Sequence, residues 1–516
     1  MVHGTDGFIG EGSTPPGAGA GGAPRLRREL HIWEVIGISV ALMAPSMAAN
    51  INPQGTAKTV GRAVPLAFVL ATVGVLLVSW TFVQLCRRFN HSGSVYGFVG
   101  ATLGARSGVV AGWGLLGTYT FYGVVTSMAS GIFGADFLDA VGIWNDPPDW
   151  AGFLIGAIAL AGVYLLTVSP IRQGTRVLLT VEGVTVALIL VVTAVVLVRL
   201  AVGDAPDDRG LTLSPFTVPP GIGSSALFLG AVFGFLSFAG FEAAATLGEE
   251  AREPRRDIPR AILGTAIFGG VYFIVVTWVE VMAFGPDEKG ITAFGQSGSL
   301  LGDLGTRYVG AWLGDLITLG AAVSAFGCAL ACSVGASRLL FALSRDGVLP
   351  ARLGEVSPGR RTPAAAATVV AVTIAAIVLV SWAAFDAVPQ DLFFYSGIIG
   401  TLILLVAYAL ATLGAVRLVF SSGDPRADDV PRWQLVVPAL ALVVLGYTLY
   451  RNVVPYPEGT AGWMPVVCGV WLLAAVVFVL VRPRLAEQAG RRLTADEGLA
   501  GGEGDRVGPV GTGEVV

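Results

Sequence analysis

Two short stretches decide how this chain folds: LMAPSM at residues 42–47 and FGFLSFAGFE at residues 233–242. Each lies within an apolar segment that is long enough to cross a membrane as a helix. Pro45 has no N–H group and its ring collides with the carbonyl of Ala41, so a regular helix cannot run through it. In the second stretch, Gly234 and Gly240 interrupt the helical pattern. Both stretches predict helices that break inside the bilayer.

The composition of the chain is that of a membrane protein. Of its 516 residues, 54% are hydrophobic and 13% are charged, whereas a soluble domain carries about 25% charged residues. A net charge of −4 does not fit a nucleic-acid-binding surface. Four cysteines make no disulfide framework, and no phosphate-binding P-loop is present. We therefore expect neither a nucleic-acid binder nor an ATP-driven pump, and we predict no cofactor and no metal.

Twelve apolar segments are long enough to span a hydrocarbon core about 30 Å thick. The third and the eighth are too long for a straight crossing. The predicted fold is an all-α integral membrane protein of about twelve transmembrane helices. The segments lie near residues 32–51, 63–85, 95–135, 151–168, 176–200, 223–248, 260–284, 307–343, 364–384, 391–416, 435–451 and 463–481.

Basic residues are distributed unevenly between alternate loops. If the N-terminus is inside, the inner loops and ends carry twenty Lys or Arg residues and the outer loops seven. Because basic loops stay in the cytoplasm, this predicts a multi-pass plasma-membrane protein with both termini cytoplasmic. The polar, Gly-rich ends at residues 1–29 and 485–516 are predicted to be disordered.

The order of the segments indicates an inverted repeat. Residues 30–202 form the first predicted half and residues 223–418 the second, with two extra helices over residues 435–483. Two interrupted helices at matching positions of inverted halves point to a transporter binding site. A half-helix that starts at the break offers N–H groups and a positive dipole end, which suit a carboxylate. Kinks and glycines that serve only packing are the alternative.

The residues that follow the second break resemble a known family. GFE at 240–242 and GEEAREPRRDIPRAI at 248–262 resemble the sixth helix and the next loop of amino-acid permeases. These permeases belong to the amino acid–polyamine–organocation superfamily. SGSVY at 92–96 with Gly104 resembles the family's entry to helix three, and RLLFALSRDGVLP at 338–350 its exit from helix eight. The resemblance covers roughly residues 30–484.

The resemblance implies a five-plus-five inverted repeat with broken helices 1 and 6, two extra helices, and alternating access to a central site. It implies a secondary active transporter for an amino acid, and not an enzyme. The family usually has a Gly-rich break in helix one, whose amides hold the substrate carboxylate. Here the break is Ala-Pro-Ser, so the amides of Ser46 and Met47, or the Ser46 hydroxyl, are predicted to replace it.

The predicted substrate site combines both breaks with residues of segments three and eight. Aromatic rings there could sandwich the substrate, although packing alone would also explain them. The predicted substrate-binding residues are Met43, Ala44, Pro45, Ser46, Met47, Leu236, Ser237, Ala239, Gly240, Glu242, Tyr119, Tyr122 and Cys328.

Acidic residues at membrane depth are functional candidates because burying a charge there is expensive. Glu242 could hold the substrate amine, accept a proton, or cap the freed amides of helix six. Glu182 could load and release a coupling proton, or it could be an interfacial acid paired with Arg176. Glu34 and Glu280 are expected at the two interfaces.

We therefore predict a permease whose partners are the lipid bilayer, a small amino acid, preferably neutral, and a proton or possibly sodium, by symport or exchange. A transporter of a polyamine or another organic amine on the same fold is the alternative. A membrane enzyme and a non-transporting sensor are less favoured, because neither a cluster of catalytic groups nor a polar signalling domain is present. The sequence makes no prediction of the oligomeric state.

Overall fold

The computed structural model describes residues 31–89, 95–169, 174–247, 251–345, 347–357, 362–420 and 430–488. Among these residues there are helices and connecting loops but no β-strand, as predicted. Helix 483–488 follows the last long helix. The long and short α-helices before it are α1 Ile32–Leu42, α2 Pro45–Val60, α3 Val64–Arg88, α4 Val95–Leu103, α5 Ala105–Ala140, α6 Trp150–Thr167, α7 Gly174–Val202, α8 Ala226–Phe238, α9 Pro254–Phe284, α10 Glu288–Gln296, α11 Leu300–Tyr308, α12 Ala311–Arg345, α13 Ala364–Phe385, α14 Pro389–Phe420, α15 Val436–Arg451 and α16 Trp463–Val481.

The described chain crosses the membrane twelve times. It contains 11 helical stretches that are long and apolar enough to span a bilayer, and the first of them, Ile32–Arg88, is 57 residues long. A 3₁₀ turn at Gly61–Ala63 divides that stretch into two crossings, α1 with α2 and then α3. The predicted number of transmembrane helices is therefore confirmed. We call the membrane face at which α1 begins the near side and the opposite face the far side.

The break in the first crossing lies where the sequence predicts it. α1 ends at Leu42, Ala44 adopts a left-handed conformation with φ of 47°, and α2 begins at Pro45. Proline is well suited to the first helical position, because its missing N–H would have no intrahelical partner there. The proline therefore ends one half-helix and starts the next.

The break in the second half lies at one of the two predicted glycines. α8 ends at Phe238, Gly240 has a φ of +103°, and a 3₁₀ helix Phe241–Leu247 follows. The predicted interruption at Gly234 is wrong, because α8 runs through it. A Cβ at Gly234 would lie 2.4 Å from the Cβ of Ala71, so this glycine allows α8 to pack closely on α3.

The helix α5 lies at the centre of the bundle, where it packs against α4, α6, α12, α14 and α16. The over-long third segment is divided at Gly104, whose φ is +103°, into the short helix α4 and the 36-residue α5. α3 packs mainly on α8 and α9. Helices of both halves therefore surround the two breaks.

On the far side, the short helices α10 and α11 cover the outer half of the first crossing. Asn50 Oδ1 accepts hydrogen bonds from Ser299 Oγ at 2.8 Å and from the Leu301 amide at 2.9 Å. Gln54 Nε2 donates to the Ser297 carbonyl at 2.7 Å. α2 is buried along almost its whole length, whereas only Val35 and Ser39 of α1 are fully buried. The structure is therefore closed on the far side.

Arginines of the far side join α7 and the loop between α7 and α8 to α11. Arg199 Nη1 donates to the Tyr308 carbonyl at 2.9 Å, and Arg307 forms an ion pair with Asp207. The hydrogen bond and positive charge of Arg307 lower the pKa of the Asp207 carboxyl. These contacts join α7 and the loop that follows it to α11 on the far side.

Several predicted features lie outside the described residues. They are residues 1–30 and 489–516 of the tails, Glu249 and Glu250 of the family-like motif, and the loop segments 90–94, 170–173, 358–361 and 421–429. Residues 485–488 of the predicted C-terminal tail belong to the helix 483–488, in which Ala486 is buried.

Close packing of α5 on α6 leads to the first prediction. A Cβ at Gly131 would lie 2.0 Å from the carbonyl oxygen of Gly152. Gly131→Ala should therefore separate the two helices and cost about 1–3 kcal/mol of stability, measured as a lower melting temperature of the purified protein. Gly469→Ala is the matched control, since nothing lies within 4 Å of its Cβ position. Equal melting temperatures for the two variants would contradict the close contact.

Candidate functional site

The N-terminus of α2 lies at the centre of the candidate site. Ser46 N donates a 3.0 Å hydrogen bond to Glu182 Oε1 on α7, and Met47 N donates to Ser324 Oγ on α12 at 3.4 Å. The first N–H groups of a helix have no partner within it, and they carry the positive end of its dipole. The two amides that were predicted to hold a substrate carboxylate are thus bound by side chains of the chain itself.

Polar groups around this contact are incompletely paired. Glu182 is 5% exposed, and neither its Oε2 nor the Ser46 hydroxyl has a hydrogen-bond partner among the described residues. The Tyr272 hydroxyl of α9 donates to the Pro45 carbonyl at 3.3 Å. The Arg176 side chain lies outside the described part of the chain, so its predicted ion pair with Glu182 remains a prediction.

A second glutamate lies at the break of helix six. Glu242 is partly exposed as a residue, but its carboxylate oxygen Oε2 is buried. The carboxyl lies close to the backbone amides of Gly240 and Glu242 and to the Tyr408 hydroxyl. Glu242 Oε2 and the Tyr408 hydroxyl each lack a hydrogen bond within the described structure. Each break therefore has a glutamate at its exposed amides, and each glutamate keeps one oxygen unpaired.

The two breaks meet each other directly. A Cβ at Gly240 would lie 3.2 Å from the carbonyl of Leu42, the last residue of α1. Cys328 on α12 donates its thiol hydrogen to the same carbonyl at 3.8 Å. Leu42, Ala239, Gly240 and Cys328 are partly exposed, whereas residues 43–47 are buried. The accessible space at the site is therefore on the near side of the first break.

The predicted aromatic residues have different surroundings. Tyr119 on α5 is partly exposed and lies near Glu242 and Cys332. Tyr122 is buried, and its hydroxyl shares a 3.0 Å hydrogen bond with Thr401 of α14. Tyr119 therefore lies beside the second break with part of its side chain exposed, whereas Tyr122 joins α5 to α14.

Leu236 and Ser237, the predicted site residues within α8, are buried in the half of the bundle that is nearer the far side. Leu236 is 7% exposed and Ser237 is fully buried. Ser237 Oγ accepts a 2.7 Å hydrogen bond from Asn52 Nδ2 and donates to the Phe233 carbonyl. The structure is closed on the far side, and Ser237 joins α8 to α2 there, on the far side of the accessible space.

Sequence reasoning missed several residues that hold the breaks in place. Tyr272, Tyr408, Asn50 and Asn52 contact the broken helices through polar atoms or lie beside Glu242. Asn50 and Asn52 were detectable, because amides inside an apolar segment commonly join membrane helices by hydrogen bonds. Nothing in the sequence singles out Tyr272 or Tyr408 from the other tyrosines.

The two acids expected at the interfaces differ. The Glu34 side chain is 57% exposed on α1, as an interfacial position requires. Glu280 lies close to the far end of α9, but it is fully buried in the bundle, and neither carboxylate oxygen has a hydrogen-bond partner in the described chain. The position of Glu280 along α9 could be predicted from the sequence, whereas the direction in which its side chain faces could not.

No group of three or more His, Cys, Asp and Glu residues is close enough to bind a metal among the described residues. Cys328 and Cys332 lie next to each other on α12, but two thiols alone are a poor metal site.

Known proteins resemble this chain over nearly its whole length. The family model described as "Amino acid permease" matches residues 30–480. The branched-chain amino acid permease BcaP of Bacillus subtilis is 25% identical over 486 residues, which are 90% of this chain and 95% of that protein. The low-affinity putrescine importer PlaP of Escherichia coli is 28% identical over 349 residues, 66% of this chain and 72% of that protein.

The polar contacts on the far side predict a second stability effect. Asn50→Ala removes the acceptor of the Ser299 hydroxyl and the Leu301 amide and leaves both buried groups unpaired. The loss should be about 1–3 kcal/mol and should appear as a lower melting temperature. Asn452→Ala, which removes only a local hydrogen bond to the Thr448 carbonyl, is the control. The interpretation fails if both variants melt alike.

Proposed function

The chain belongs to the amino acid permease family, and on that premise we propose that it carries an amino acid across the plasma membrane together with a proton. It is a multi-pass membrane protein with transporter relatives. We also propose that the near side is cytoplasmic, which the excess of basic residues in the near-side loops supports. The two five-crossing halves and the two additional helices form one transport domain in this proposal.

The hydrogen bond from Ser46 N to Glu182 carries the proposal. An amino-acid carboxylate would bind best at the N-terminus of α2, where Glu182 already accepts this amide. An ionised Glu182 therefore competes with the substrate for the same donor. Protonation removes the negative charge and weakens that hydrogen bond, so the Ser46 amide becomes available.

This competition makes proton binding and substrate binding favour each other. Two carboxylates beside one helix terminus would repel each other strongly, because the surroundings exclude water. Substrate binding therefore raises the proton affinity of Glu182, and a bound proton raises the affinity for the substrate by the same factor. A transporter that changes between its two access states only when both proton and substrate are bound, or when neither is bound, would be a symporter.

The substrate amine is assigned to the second break. Glu242 is partly exposed as a residue, and its carboxylate has a buried oxygen without a hydrogen bond. Tyr119 and Cys328 are partly exposed on the neighbouring helices α5 and α12. Ala239 and Gly240 have small side chains or none, which leaves room for the substrate side chain. These features favour a neutral amino acid.

One observation favours the alternative substrate class, an organic amine or polyamine. Glu182 and Glu242 each have an unpaired oxygen, and the two amides at the α2 terminus are already bound. Two acids without an open carboxylate site suit a cation. The relative PlaP is a putrescine importer.

Uptake into proteoliposomes decides between these substrates. We expect one radiolabelled neutral amino acid to accumulate under an inward proton gradient, and unlabelled amino acids to compete better than putrescine or simple amines. Competition by amines but not by amino acids would favour the alternative substrate class. Absence of uptake for every solute tested, under proton and sodium gradients alike, would contradict the proposed transport activity.

Glu182→Gln tests the coupling role. The amide mimics a protonated carboxyl, so proton-driven accumulation should fall by about tenfold, within the usual range of coupling between two ligands, whereas substrate exchange should persist. The exposed Glu355→Gln is the control. Equal loss of accumulation and exchange, or no loss of either, would argue against the role of Glu182. Accumulation that follows a sodium gradient instead would identify sodium as the coupling ion.

A further inference from the structure

A cavity of about 320 Å³ lies between α5, α6 and α13, away from the two breaks. Its walls are almost entirely apolar and include Met128 of α5, Leu160 of α6 and Ala375 of α13. An enclosed apolar cavity about half this size is large enough to bind a benzene molecule. The volume therefore admits a substantial hydrocarbon group.

The cavity is continuous with the surface that faces the lipid. Trp150 and Leu154 of α6 and Leu379 and Trp382 of α13 line it, and these side chains are between 46% and 59% exposed. Trp150 begins α6 on the far side, and Trp382 is close to the far end of α13. Tryptophan is enriched where a membrane meets water, so the mouth of the cavity lies beneath the lipid headgroups.

The depth of the cavity matches one leaflet. From Trp150 to Leu160, α6 rises about 15 Å, which is half of a hydrocarbon core of about 30 Å. Dividing the cavity volume of about 320 Å³ by this depth gives the mean cross-section of the cavity. That cross-section accommodates one hydrocarbon chain and is too narrow for two. The shape is thus that of a single extended acyl chain.

We propose that this cavity is a binding site for one acyl chain of a phospholipid in the far-side leaflet. The chain enters beside Trp150 and Trp382 and ends near Leu160 and Met128. Bound hydrocarbon restores the dispersion contacts that the wall atoms lack when the cavity is empty. It braces α5, the helix that carries Tyr119, against α6 and α13.

Ser127 distinguishes a hydrocarbon chain from a polar ligand. It lines the cavity, is 1% exposed, and its hydroxyl has no hydrogen-bond partner in the described structure. An acyl chain cannot bond to this hydroxyl, so Ser127→Ala should leave lipid binding unchanged. A polar small molecule that used the hydroxyl would bind more weakly to that variant.

The test is photolabelling of the full-length protein in lipid nanodiscs. The probe is a phosphatidylglycerol with a diazirine at the end of one acyl chain, and labelled residues are located by mass spectrometry. We expect labels near Met128 and Leu160. Ala157→Phe, which fills the cavity, should reduce this labelling by about tenfold. Ala161→Phe, one turn further along α6 on an exposed position outside the cavity, should not.

A second pair of variants keeps the test decisive if Ala157→Phe fails to fold. Ala375→Phe points into the cavity, and its neighbour Ala376→Phe lies on the exposed face of α13. The proposal is overturned if Ala157→Phe and Ala375→Phe have the melting temperature of the parent protein and are labelled as strongly as the parent. It is also overturned if Ser127→Ala abolishes labelling, or if free palmitic acid displaces the probe while unlabelled phosphatidylglycerol does not. None of these outcomes depends on transport activity.

Discussion

Backbone groups inside a bilayer must find partners, and this constraint organises the molecule around the bond between Ser46 N and Glu182. Pro45 makes a continuous first helix impossible, and the break exposes amides at its centre. Water is scarce there, so another helix must supply the acceptors. α7 supplies Glu182 and α12 supplies Ser324. The broken helix is thus joined to two helices that are distant in sequence.

The second break follows the same rule with a different acid. Gly240 permits the turn, and Glu242 lies against the amides that the turn exposes. Leu42 and Gly240 then bring the two breaks into contact. An acid at each break lies against the backbone amides that the break exposes, and it also provides a group that a proton or an amine can neutralise. In the proposed transport cycle, the same two residues serve both the stability of the breaks and the coupling.

The two sides of the break are packed to different degrees. α2 is held by Asn50, Asn52 and Gln54 through hydrogen bonds to α8 and to the segment around α11. Most residues of α1, on the near side, are only partly buried. In an alternating-access cycle the far-side contacts would have to open as α1 becomes covered. The polar contacts of α2 suit such a change, because hydrogen bonds can be exchanged for water when the far side opens.

The sequence by itself determined the class of fold. Apolar segments of membrane length, the charge asymmetry of the loops, Pro45 and Gly240 are local signals, since each acts through the backbone or the lipid next to it. The twelve crossings and both breaks could be predicted for this reason. Gly234 was misleading because a helical glycine and a helix-breaking glycine look identical until the neighbouring helix is known.

Only the tertiary structure decided which groups meet. Glu182 and Ser46 are 136 residues apart, and no periodicity specifies that contact. Tyr272 and Tyr408 were missed, and the burial of Glu280 was not predicted, because the direction of a side chain depends on how its helix is rotated in the bundle. Hydropathy describes how deep a residue lies in the membrane, whereas packing of the helices determines what it faces.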